Sequence, residues 1–95
     1  YKWAQDDGIP LHQALGVVTH RSVAVVGSAL GPLAASAGRL VVGGVADICI
    51  FDPNAAWTVE ASALRSQGHN TPFEGYELPG RVRATLVGGH LAYRA

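Results

Sequence analysis

The chain has 95 residues, is 48% apolar, and balances 7 basic side chains against 7 acidic ones. That length supports one modest core, so one compact unit is expected and two domains are not. The even charge offers no cationic face for a phosphate backbone, so nucleic acid is not an expected partner. The one cysteine, Cys49, permits no disulfide within the chain. Its apolar neighbours Ile48 and Ile50 predict a buried thiol, and a cytoplasmic, reducing setting is expected. Residues 22–45 carry Arg39, Pro32 and several glycines and make a poor membrane span. Residues 1–7 contain no methionine and none of the features of a signal peptide, so the chain reads as cut from something longer.

Residues 1–7 read as the end of a helix stopped by Gly8, with Pro10 suited to the first turn of the next. In that second helix Leu11, Ala14, Leu15 and Val18 form an apolar stripe, with His12 and Gln13 outside it. Ser22 is the expected N-cap of a short helix over residues 23–26, ending at Gly27. From Gly31 to Gly44 small residues and glycines describe a connection that turns into strand around Arg39-Leu40-Val41-Val42.

Residues 46–51 are β-branched and aromatic enough for a strand, and Asp52-Pro53-Asn54 should end it; Trp57-Thr58-Val59 suggests another short one. Residues 81–87 and 90–94, joined by Gly88-Gly89, carry a hairpin pattern. The long segment from about 62 to 80 is expected to be a covering loop of fixed shape, with Phe73 as a buried anchor. Together these predict an α+β fragment, helical over 1–37 and mostly β over 38–95.

The chemistry-bearing side chains do not assemble by spacing. His12, His20, His69 and His90 form no His-x-His pair, and no cysteine pair stands near them, so no metal ligands are assigned. No serine sits in a glycine-flanked elbow, and Gly43-Gly44 lacks the Lys-Ser or Lys-Thr of a phosphate loop. No catalytic residue is assigned either.

The segment Ser66-Gln67-Gly68-His69-Asn70-Thr71-Pro72-Phe73-Glu74-Gly75, followed by Leu78-Pro79-Gly80 and the final hairpin, resembles the C-terminal signature of dihydroorotases. Hydantoinases and allantoinases carry variants of it. Residues 38–52 likewise resemble the strand pair by which cyclic amidohydrolases pass from barrel to small β domain. The resemblance implies the closing helices of a (β/α)8 barrel followed by the C-terminal part of a small β-sandwich domain. It also implies that the longer protein interconverts dihydroorotate and carbamoyl aspartate in pyrimidine biosynthesis. Zinc would be held by residues upstream of this chain and none by the chain itself.

By position, Asn70, Thr71, Pro72 and Phe73 are the substrate-loop candidates, with Asn70 expected to hydrogen-bond backbone. Where the family shows Thr-x-Asn-Pro-Ala and a later Gly, this chain has Thr19-His20-Arg21-Ser22-Val23 and Gly27, which points to a divergent lineage. The opening Lys2-Trp3-Ala4 is similar to a bacterial branch that has lost its metal ligands and stabilises aspartate carbamoyltransferase. The resemblance therefore leaves an enzyme and a non-catalytic partner of that transferase both open. No membrane partner is expected.

Overall fold

A computed structural model describes residues 1–95, which run as three helices followed by three strands. Helix α1 (Lys2–Asp6) stops ahead of Gly8, whose φ of +68° is the left-handed geometry expected there. Helix α2 (Leu11–Val18) has Pro10 at its N-cap rather than inside its first turn. Its expected apolar stripe is only partly covered: Leu11 and Ala14 are half-buried, while Leu15 and Val18 face solvent.

Helix α3 (His20–Val26) starts earlier than expected, so Ser22 lies inside it and is not its N-cap. The reason is a competing use of both hydroxyls. Thr19 holds the cap position but donates back to the Leu15 carbonyl at 2.7 Å, and Ser22 donates back to that of Val17. Each closes α2 instead of opening α3. Short 3-10 turns follow over Gly27–Ala35, broken at Gly31, where φ is +59° immediately before Pro32.

By length and apolar composition alone, Leu11–Ala35 is long enough to cross a membrane. It is nevertheless three helical pieces separated at Thr19 and Gly27, and such breaks leave backbone groups that lipid cannot satisfy.

Arg39-Leu40-Val41-Val42 is not a strand. Its composition suits one, but no neighbouring chain pairs with it, and Gly38 and Gly43 at positive φ turn the backbone on both sides. A turn hydrogen bond from Gly44 N to Val41 O (3.1 Å) closes the segment.

The sheet is three-stranded, antiparallel and ordered β1 (Ile48–Thr58), β2 (Glu77–Val87), β3 (His90–Arg94). Asp52-Pro53-Asn54 does not end β1. Pairing runs from Ile48 opposite Leu86 to Asp52 opposite Arg81, and resumes at Ala56 opposite Pro79, so the intervening residues bulge out and Trp57-Thr58 continues the same strand. The turn chemistry is present but local: Asp52 Oδ1 accepts the Asn54 N–H at 2.9 Å, and Pro53, lacking an N–H, is tolerated at a bulge on an outer strand. Strand β2 correspondingly begins at Glu77 rather than Arg81. The β2–β3 hairpin forms as expected around Gly88 and Gly89, with φ of +56° and +81°.

The hairpin turn is fastened from outside. Asp47 Oδ1 accepts the Gly88 N–H at 2.7 Å and the Ala46 carbonyl accepts the Gly89 N–H at 3.0 Å. Helix α1 lies on one face of the sheet, where Tyr1 meets the Phe51 ring edge-on at 6.1 Å and Ala4 is fully buried. Beside it a shallow cavity of about 290 Å³ is lined chiefly by Phe51, Trp57, Leu78 and Val82.

Cys49, at the rim of that cavity, is exposed and not buried. It sits on a sheet face that α1 covers only in part. In the 95-residue chain it is therefore expected to react with a disulfide reagent as fast under native conditions as in denaturant; a large native slowing would contradict this placement.

Asp52 also meets Arg83 across the β1–β2 pair, with Nη2 3.3 Å from Oδ2. The Asn54 N–H first, and Arg83 second, hold its carboxyl below the usual carboxylate range. A group whose folded value is depressed contributes stability above its unfolded value and loses it as pH falls through the folded one. The melting-temperature gap between the parent and Asp52→Asn is thus expected at neutral pH and should close in acid. A gap that widens in acid would contradict the ion pair.

Candidate functional site

The signature segment lies between β1 and β2 and is narrower than expected, because strand pairing extends to Thr58 on one side and Glu77 on the other. Beyond that last pair, Val59 N donates to Tyr76 O and Gly75 N to Val59 O, both at 2.8 Å, which closes the neck of the loop. Val59 is 3% exposed and fills that neck. A 3-10 turn (Ala61–Ala63) follows, and residues 64–76 form the rest.

Side chains fix the interior of the loop. Glu74 Oε2 accepts the Ala61 N–H at 2.7 Å, and His69 Nδ1 meets the Ala61 carbonyl. A carbonyl can only accept, so Nδ1 carries the proton. Ser66 Oγ accepts the Gly68 N–H and Thr71 Oγ1 the Phe73 N–H, each at 3.2 Å. Arg65 lies over the Tyr93 ring, 5.3 Å from its centre, and fastens the loop's base to β3. The fixed shape expected of this segment is what these bonds produce.

The four sequence-predicted residues are consecutive and lie in the returning part of this loop, shortly before its neck. Thr71 is half-buried and orders the turn, while Asn70 and Pro72 are exposed. Two expectations need correction. The loop's side-chain hydrogen bonds come from Ser66, His69, Thr71 and Glu74, and Asn70 makes none. Phe73 is 51% exposed and meets the Tyr76 ring edge-on at 5.8 Å, so within these residues it is not a buried anchor. Its truncation here should cost well under the roughly 3–5 kcal/mol of a buried Phe→Ala change. The roles of Glu74, His69 and Asp47 were not assigned from sequence, since each depends on a backbone partner that spacing does not reveal.

No three His, Cys, Asp or Glu side chains converge to hold a metal, so the residues present do not fit a zinc centre. The loop presents an exposed amide, Asn70, and an exposed aromatic ring, Phe73, beside its internal hydrogen bonds.

No protein-family model matches the chain. Among curated proteins it is 47% identical over 57 residues to a dihydroorotase of Geobacter metallireducens, covering 60% of this chain and 13% of that protein. It is 53% identical over 57 residues to a dihydroorotase-like protein of Pseudomonas aeruginosa, with the same coverage. It is 40% identical over 81 residues to a dihydroorotase of Anaeromyxobacter sp., covering 82% of this chain and 18% of that protein. A small α+β unit with a hydrogen-bonded loop between its first two strands is thus a homologue of dihydroorotases and dihydroorotase-like proteins, as the signature implied. The chain spans less than a fifth of the length of these relatives.

Proposed function

We propose that this chain is the C-terminal portion of a dihydroorotase-type cyclic amidohydrolase, its helices closing a (β/α)8 barrel and its sheet completing a small β-sandwich domain. The observation that carries the reading is the 40–47% identity to two bacterial dihydroorotases. The surface supports it, because Val25, Leu40 and Val42 stand almost wholly exposed, as residues do when their partners lie elsewhere in a longer polypeptide. In this reading the longer protein interconverts dihydroorotate and carbamoyl aspartate in the cytoplasm. Zinc is then held by side chains outside these 95 residues, and Asn70, Thr71, Pro72 and Phe73 border the substrate region.

A second reading is favoured by the 52–53% identity to two Pseudomonas dihydroorotase-like proteins. It makes the longer protein a non-catalytic homologue that stabilises aspartate carbamoyltransferase. Purified full-length protein, assayed with dihydroorotate, separates the two. Turnover that is lost on zinc chelation is expected for the enzyme. Absence of turnover, with aspartate carbamoyltransferase copurifying, would sink that reading and support the second. Turnover of hydantoin or allantoin in place of dihydroorotate would move the protein to a related amidohydrolase.

A further inference from the structure

The segment that carries Asn70, Thr71, Pro72 and Phe73 is joined to the sheet at its neck, where Val59 pairs with Gly75 and Tyr76, and at its base, where Arg65 lies over the Tyr93 ring of β3. Inside the neck, one residue is gripped from two sides: Glu74 takes the N–H of Ala61 and His69 its carbonyl. These contacts join the loop's outgoing limb to its returning one, 13 residues apart for Glu74 and 8 for His69. His69 immediately precedes Asn70 and Glu74 immediately follows Phe73, so the two grips bracket these four residues. Both side chains are exposed and touch no other element through these bonds, so they bear on the loop and not on the core.

We propose that His69 and Glu74 are positioning residues, a two-sided clamp on Ala61 that holds the segment from Asn70 to Phe73 in one preformed conformation for recognition. The role of that segment rests on the proposed function; the clamp itself rests on the hydrogen bonds. Ordering a loop before a ligand arrives removes an entropic cost from binding, which is the physical use of such a clamp. It requires an acceptor at position 74 and a ring N–H at position 69, and no charge on either.

The test is amide hydrogen exchange of the full-length protein and its variants, read by peptide. Glu74→Leu and His69→Leu should each speed exchange across residues 66–75 about tenfold, the change that loss of about 1.4 kcal/mol of local closing energy produces. Glu74→Gln, which keeps an acceptor oxygen, should stay within about twofold of the parent. Peptides from β1, β2 and β3 should be unchanged in all variants. Unchanged exchange across 66–75 in the Leu variants would overturn the clamp, and so would a Gln variant as fast as Leu. If the full-length protein turns over dihydroorotate, Glu74→Leu should raise KM with kcat little altered, and Glu74→Gln should restore it. Parent protein inactive on dihydroorotate would refute the enzymatic reading alone, since the exchange result decides the clamp independently.

Discussion

Produced by itself, the 95-residue chain is expected to melt over a broad, weakly cooperative transition and to bind an apolar dye in native buffer. Only 3 of its 95 residues are buried, Ala4, Gly16 and Val59, although 48% are apolar. Ordering each residue costs roughly 1–2 kcal/mol of conformational entropy, and full burial of a large apolar side chain returns about 1.5–3 kcal/mol. Val59 is the one such side chain that is buried, while Val25, Leu40 and Val42 return almost nothing. The sheet hydrogen bonds cannot make up the difference, because each is worth only about 1 kcal/mol net. Differential scanning calorimetry gives the check. A sharp two-state peak with an enthalpy near 0.7 kcal/mol per residue, the usual value for globular domains, would contradict this reading of the surface.

The second large effect belongs to Gly38. Its φ is +75°, and a Cβ built there would stand 2.8 Å from the Thr19 carbonyl carbon and 2.9 Å from Val23 Cγ2. Thr19 is the junction of α2 and α3, so the obstacle is backbone that two helices hold in place. Gly38→Ala in the full-length protein should therefore combine left-handed strain of about 1–2 kcal/mol with overpacking of about 1–3 kcal/mol, roughly 2–5 kcal/mol in all. Gly43→Ala is the control: its φ is +81° but nothing lies within 4 Å of the added carbon, so only the backbone cost of about 1–2 kcal/mol applies. Urea midpoints of the two variants measure the difference. Equal losses would mean that Gly38 is not the close-packed point of the helical part.

What the sequence made legible was local. The stop at Gly8 and the Gly88-Gly89 hairpin each follow from a residue whose backbone preference acts on its immediate neighbours. What it hid depended on partners. Asp52-Pro53-Asn54 has the composition of a strand end, yet β2 pairs on both sides of it and the turn becomes a bulge. Arg39-Leu40-Val41-Val42 has the composition of a strand and no neighbour to pair with. Cys49 and Phe73 read as buried because apolar side chains usually find cover, and in these 95 residues the cover is missing.

The candidate site divides the same way. The segment from Asn70 to Phe73 was legible as a motif, and the relation to dihydroorotases that it implied for the chain is matched by the relatives. The clamp by His69 and Glu74 was not legible, because both grip main-chain atoms of Ala61 whose position only the folded loop defines.

The claim that these residues are one share of a larger dihydroorotase-related body is tested most directly by hydroxyl-radical footprinting of Trp3, Leu33 and Leu40, in the 95-residue chain and in the full-length protein. All three are exposed in this chain. Labelling is predicted to be heavy in the short chain and to fall several-fold in the full-length protein, where other parts of the polypeptide cover the helices. Equal labelling of the two forms would contradict the account.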